Sequence, residues 1–442
     1  MLTPADAALR TANQCDVLVI GGGPGGAAIA ALLAQRGRDV VLIEKARHPR
    51  FHIGESLLPL NMPLFEQLGV AEEIKQIGMP KYGAEFVSPW HDQPVTFDFA
   101  NAVDKAFPYA YQVRRSEFDQ ILFRNAVRKG AKAFEACRAT TVEFHSAGAT
   151  VTMRQENGEA QQWQTQFVVD ASGRDTVIAN QLGTKQRSKK NNSAAIFGHF
   201  SGATRLTGKA EGNISLFWFD HGWFWFIPLH DGVTSVGAVC WPYYMKSRKT
   251  DPDTFFFDTI ALCPALAARL CNATLNAPVT ATGNYSYEVK RATGRNYLLL
   301  GDAFTFVDPV FSTGVLFAMQ SAFAGADTVE TCLDHAQRAP AALKKFDRAM
   351  RHGPKIFSWF IYRVTTPTLR DLFMGPGDKR LQEAVLSVLA GDIFRSTPLG
   401  IKLFAFKTIY YLRNLFNPRR TLSAWKKRKQ ILGEPSANTN AI

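Results

Sequence analysis

The sequence predicts an α/β chain: a lobe built on a parallel sheet, an antiparallel aromatic-rich sheet threaded through it, and a helical C-terminal region. Three observations carry this. "CDVLVIGGGPGGAAIAALLAQRGRDVVLIEK" reads as strand, glycine turn, helix and strand. "NISLFWF", "GWFWFIPL" and "SVGAVCW" are short aromatic runs whose residues alternate between two faces. From about Ala336 the apolar residues recur at helical spacing. With 442 residues, 46% of them hydrophobic, the chain can bury a large core and is not a disordered polymer.

The N-terminal unit is the most specific. Asp16 to Ile20 suits a buried strand, and Ala27 to Gln35 has helix-forming composition. Between them Gly21, Gly23 and Gly26 satisfy G-x-G-x-x-G: the first permits a tight turn, the second lets a pyrophosphate approach the backbone, and the third lets helix and strand pack closely. The helix start aims unpaired N–H groups at phosphate. A second apolar run, Val40 to Ile43, ends at Glu44, where a carboxylate accepts hydrogen bonds from an adenosine ribose. The glycines alone are common. The whole unit specifies a dinucleotide and leaves FAD and NAD both open.

Three later stretches favour FAD. "YQVRRSEFDQILFRNA", "FVVDASGRDT" and "YLLLGDAFTFVDPVFSTGVLFAMQSA" resemble, in order, motifs of the para-hydroxybenzoate hydroxylase type of flavoprotein. The resemblance implies cofactor contacts from Gln112, Arg115, Asp170, Gly173 and Asp302. It also implies a helix after "VFSTG" whose positive end faces the flavin pyrimidine. Only one dinucleotide fingerprint is visible, so no resident NAD(P)H site is expected.

"GWFWFIPL" places Trp223, Trp225 and Ile227 on one face and Phe224 and Phe226 on the other, with Pro228 able to end the strand. By periodicity this is a core strand. The spacing W-x-W-x-I-P also resembles the motif that accompanies the glycine fingerprint in flavin-dependent halogenases, where it implies a wall keeping organic substrate off the flavin. The region "FHIGESLLPLNMPLFEQLGVAEEIKQIGMPKYGAEF" resembles halogenases acting on carrier-bound or phenolic substrates, and Lys81 falls where their lysine holds hypohalous acid. Thr313 and Gly314 form an anion nest that the resemblance assigns to halide. "DPVFSTGV" has no glutamate beside the Thr-Gly pair, which makes free tryptophan a poor substrate and favours pyrroles, phenols or polyene-type aromatics.

The expected activity is therefore halogenation. Reduced FAD comes from a separate flavin reductase, chloride or bromide is the co-substrate, and the organic substrate is electron-rich and free or bound to an acyl carrier protein. An aromatic monooxygenase of the same fold and a reductase resembling geranylgeranyl reductases are the rival readings. The expected organisation is residues 1–335 for the FAD-binding fold, with the substrate sheet near 84–108 and 197–284, and 336–442 for the helical region. The net charge is +13, and from Ile401 to Gly433 nine Lys and Arg stand with no Asp or Glu. That tail predicts either a helical cap or a docking face for an acidic carrier protein or an anionic membrane surface. No nucleic-acid module is present in the sequence, and the six cysteines show neither CxxC pairs nor metal-ligand spacing. With no signal peptide in the N-terminal sequence and no long apolar window, the expected location is cytoplasmic, the inner membrane surface being the alternative.

Overall fold

The computed structural model describes residues 13–188, 192–283, 286–375, 379–391 and 399–433. In chain order, the elements that position the site are β1 (Gln14–Ile20), α1 (Pro24–Gln35), β2 (Val40–Ile43), β3 (Met79–Lys81), β4 (Gly83–Val87), β5 (Val95–Asp98), β6 (Ala110–Gln112), α2 (Arg115–Arg128) and β7 (Lys132–Phe134). They continue with β8 (Ala160–Asp170), β9 (Ala194–Ser201), β10 (Ile214–Phe219), β11 (Gly222–Pro228), β12 (Val233–Cys240) and β13 (Tyr297–Leu299). The helices α3 (Thr313–Asp334), α4 (Ala339–Ile361), α5 (Pro367–Met374), α6 (Gly400–Phe416) and α7 (Pro418–Gly433) follow.

The parallel core of the eight-stranded first sheet runs β13, β8, β1, β2, β7, and further strands pair antiparallel with β13 and β8. β1 and β2 are buried on both faces, which is why they read as unbroken apolar runs. The helix after the glycine turn starts at Pro24, three residues before the expected Ala27. Gly23 is its N-cap and Pro24 its first residue, where a missing N–H costs nothing. α1 then lies flat on the sheet because Ala, Gly and Leu fill its buried side.

The second sheet runs β9, β12, β11, β10, β4, β5. It is antiparallel except between β10 and β4, which run parallel. The exception follows from threading: between β5 and β9 the chain passes through the first lobe and re-enters alongside β4 in the same direction. Alternation holds along β11. Trp223, Trp225 and Ile227 join one apolar cluster, and Phe224 and Phe226 join the cluster on the opposite face. Strands β3 and β6 form a two-stranded ladder, and Ser56 bridges to Gln112 of β6.

The C-terminal helices pack mainly on the first of these clusters through Phe357, Phe360, Leu369, Phe373, Leu403 and Phe406. α6 is apolar on two opposite sides. Leu403, Phe406 and Tyr410 are buried, while Ile401 and Phe404 stand 85% and 73% exposed. Among the described residues no helix is long and apolar enough to cross a membrane. All six cysteines are free thiols.

Candidate active site

A cavity of about 1310 Å³ runs between the two sheets. At one end the glycine turn does what its spacing requires. Gly21 has φ +102°, and a Cβ on it would stand 2.4 Å from the Ala171 carbonyl oxygen; one on Gly26 would stand 1.8 Å from the Gly21 carbonyl oxygen. Gly21 and Gly23 line the cavity. Over Gly23 the nearest atom is an Arg50 nitrogen at 3.6 Å, so its backbone is open to a ligand. Glu44, also lining the cavity, accepts from the Gly22 N–H at 2.7 Å and the Ala46 N–H at 3.0 Å, one at each oxygen. Each oxygen keeps a lone pair for a further donor.

Asp170 and Gly173 divide the work of their motif. The Asp170 carboxylate accepts from the Ser172 N–H, the Ser172 hydroxyl and the Ile178 N–H, so it braces the turn. Burial pushes its pKa up against those bonds. Gly173, at φ +62°, lines the cavity. Arg115 begins α2 and also lines it. Its guanidinium donates to both Asp119 oxygens at 2.8 and 3.0 Å and to the Ile53 carbonyl at 2.8 Å. Burial would raise Asp119, but Arg115 and Arg50 hold it below its ordinary value. The charge of Arg115, followed by burial, lowers His52 to about 4. At Asp302 burial pushes the carboxyl up to about 7, with Arg115 and Arg174 opposing. Gln112 lies apart from the cavity wall: its amide donates to the Gly212 carbonyl at 3.0 Å, and its Oε1 has no partner among the described residues.

These features fit an FAD. The cradle over Gly23 would take a pyrophosphate at the N-terminus of α1, and Glu44 would offer lone pairs to a ribose. Asp302 and the N-terminus of α3, where negative charge is favoured, line the same cavity. Among the described residues no cluster of His, Cys, Asp or Glu could hold a metal ion.

The other end of the cavity is apolar. Trp223, Trp225 and Ile227 form its wall, and Pro228 closes β11 without lining it. Trp225 is fixed by a hydrogen bond from its indole to the Ser235 hydroxyl at 3.1 Å. Gly237 on β12 makes room for it: a Cβ there would stand 2.3 Å from the Trp225 ring. Thr313 and Gly314 open α3 after Ser312, which is held at φ +56°, and both line the cavity. Lys81, at the end of β3, is 1% exposed and does not itself line the cavity. Its amine donates to the Ser56 hydroxyl and the Leu57 carbonyl, both at 2.9 Å, and stands 5.2 Å from the Phe99 ring centre. Ser56 does line the cavity. With no carboxylate beside the amine among the described residues, burial alone lowers Lys81 to about 7.

Residues 14–343 match the FAD binding domain family. The solved structure of the myxobacterial chondrochloren halogenase CndH, a FAD-dependent halogenase, superposes with a TM-score of 0.76 at 30% identity, over 93% of this chain and 97% of that one. The chain belongs to the flavin-dependent halogenase family. Within this family of FAD-dependent oxidoreductases, the tryptophan 2-halogenase of Chondromyces crocatus is 34% identical over 74% of this chain, which spans 63% of that relative's length. The 1H-pyrrole-2-carbonyl-[peptidyl-carrier protein] chlorinase of Pseudomonas fluorescens is 29% identical, over 88% of this chain and 92% of its own.

The halogenase cavity also holds residues that sequence reasoning passed over. Glu55, adjacent to Ser56, lines it and pairs with His199 of β9 at 2.8 Å, joining the two lobes. An acid in the apolar run "GESLLPL" was the available signal. Phe357 and Ile361 reach the cavity from α4; their helical spacing was visible, but not the side they face.

Proposed function

We propose that the protein is a halogenase in which Lys81 directs hypohalous acid to an electron-rich aromatic or conjugated substrate. The observation that carries this is a buried amine, bonded to Ser56 of the cavity lining, with no carboxylate partner among the described residues and with its pKa lowered to about 7 by burial. FAD, reduced by a separate flavin reductase, supplies with O2 the oxidising equivalent that converts halide to hypohalous acid. The amide groups at Thr313 and Gly314 hold chloride or bromide at the start of α3. Trp223, Trp225 and Ile227 keep the substrate away from the isoalloxazine, so oxygen is not passed to it directly. Hypohalous acid reaches the neutral Lys81 amine, which either hydrogen-bonds it or exchanges a proton for halogen, releasing water and leaving an N–halogen bond. The ring carbon then takes the halogen as that bond breaks, and its proton leaves to restore aromaticity.

The pyrrole-carrier chlorinase supports a substrate tethered to an acyl carrier protein, and the Lys and Arg spread along residues 401–433 supply positive charge for that acidic partner. The test supplies reduced FAD, O2 and bromide with an activated pyrrole or phenol and follows product mass. A bromine isotope doublet is expected. A gain of one oxygen would make the protein a monooxygenase; a gain of two hydrogens would make it a reductase. Lys81→Ala is expected to bind FAD normally and form no brominated product.

A further inference from the structure

A second cavity, of about 360 Å³, lies outside the flavin and halide machinery, between the β10–β11 turn, the segment joining α4 to α5, and α7. Trp218 and Phe219 form a buried floor, and the exposed Trp90 and Ser423 mark its mouth. Three of its lining residues are arginines, Arg370, Arg420 and Arg428, and one, Asp220, is acidic. Arg420 is engaged by Asp371 on the rim. Arg370 differs: it is 7% exposed, its guanidinium is stacked 3.6 Å from the Trp90 ring centre, and its Nε is buried with no hydrogen-bond partner among the described residues. Burial pulls its pKa down to about 10. Asp371 and Asp220 act on this guanidinium electrostatically, yet its Nε–H stays buried and unbonded, which is costly, and an oxyanion is the ligand that a guanidinium fork matches.

The two cavities adjoin. Ile361 lines both, and Trp218 on the second cavity's floor is the cross-strand partner of Trp223 in the first cavity's wall. We infer that the second cavity is a phosphate subsite, and that it holds the phosphodiester of a pantetheine tether whose acyl end passes Ile361 into the main cavity. The oxyanion fills the place among the arginines, the indole walls cover the neutral arm, and the tether's length carries the ring to the Lys81 side of the wall. This deepens the carrier-tethered reading above and rests on it.

Calorimetric titration of the full-length, FAD-loaded protein with 4′-phosphopantetheine, pantetheine and inorganic phosphate tests it. Phosphopantetheine is expected to bind about tenfold or more tighter than pantetheine, as one charge-assisted contact provides. Arg370→Gln should erase that difference, and Arg370→Lys should restore part of it. Equal affinities for the two pantetheine forms, or an Arg370→Gln variant that still discriminates, would overturn the subsite. Inorganic phosphate binding as tightly as phosphopantetheine would overturn the tether. If Arg370→Gln fails to fold, Arg428→Gln at the same cavity serves, with the same expected loss. Bromination of a free phenol by the unaltered protein is measured alongside. No bromination with discrimination intact removes the halogenase reading; bromination without discrimination removes the subsite alone.

Discussion

Lys81→Met should make the protein more stable while it loses halogenation. In the fold the amine titrates at about 7 against 10.5 for an unburied lysine. At about 1.4 kcal/mol for each factor of ten, the charged form is disfavoured in the fold by on the order of 5 kcal/mol, of which about 4 kcal/mol is felt at pH 7, where the folded amine is half neutral. Because the folded value is the lower one, the unfolded chain binds the extra proton between pH 7 and 10.5. Stability therefore climbs with pH through that window: the penalty is fully present below it and gone above it. Methionine carries no such penalty but gives up the bonds to Ser56 and Leu57, worth about 1 kcal/mol each. The expected gain for Lys81→Met is about 2 kcal/mol at neutral pH, turning to a small deficit near pH 9.5, since about one factor of ten of the penalty remains there. Urea unfolding of both FAD-loaded proteins at the two pH values measures it. A variant less stable than the parent by the same amount at both would show an ordinary, fully compensated ammonium and refute the neutral-amine argument.

Three further outcomes follow from the same structure. Gly237→Val places carbon 2.3 Å from the Trp225 ring and 2.5 Å from the Phe197 Cβ; it should cost about 1–3 kcal/mol in urea and divert bromination toward oxygenation, read by product mass. Asp302→Asn should flatten the apoprotein's pH response. Since burial lifts Asp302 from 3.8 to about 7, the folded protein holds the proton longer than the unfolded chain and loses stability as pH rises between those values. Thermal melts at pH 5 and pH 8 should show the variant's gain on the parent growing between them, since only about a third of the parent's loss is present at pH 5. Glu44→Ala should weaken FAD binding by about tenfold or more, read by flavin fluorescence; an unchanged affinity would remove the ribose role.

The nucleotide end was legible in the sequence because close approach leaves few residue choices. Only glycine survives 1.8 Å from a carbonyl oxygen, so Gly21 and Gly26 announce their geometry. The Trp223 face was legible for a similar reason, since a strand's period of two sorts side chains without help from the rest of the chain. Lys81 was found by resemblance, but its burial depends on Ser56 and Leu57, 25 and 24 residues away. The Glu55–His199 pair spans 144 residues, beyond any local pattern. Asp170 and Gln112 show the reverse: their motif positions were visible, yet their side chains turn to Ser172 and Ile178 and to Gly212 rather than into the cavity. In the tail, charge was visible and partnership was not. Arg420 is tied to Asp371 and Arg428 lies over Tyr362, while the outward side of α6 is apolar.

The FAD binding domain match ends at residue 343, inside α4, and that same helix goes on to place Gly353, Pro354, Phe357 and Ile361 in the cavity. A single rod thereby carries both parts. Its first turn falls within the match to the FAD binding domain family; its last two turns lie beyond that match and still face the cavity. A descendant can change its target by rewriting the far half of one helix, leaving the glycine cradle and the flavin untouched. Grafting residues 344–433 between relatives should therefore transfer substrate preference and leave cofactor affinity where it was.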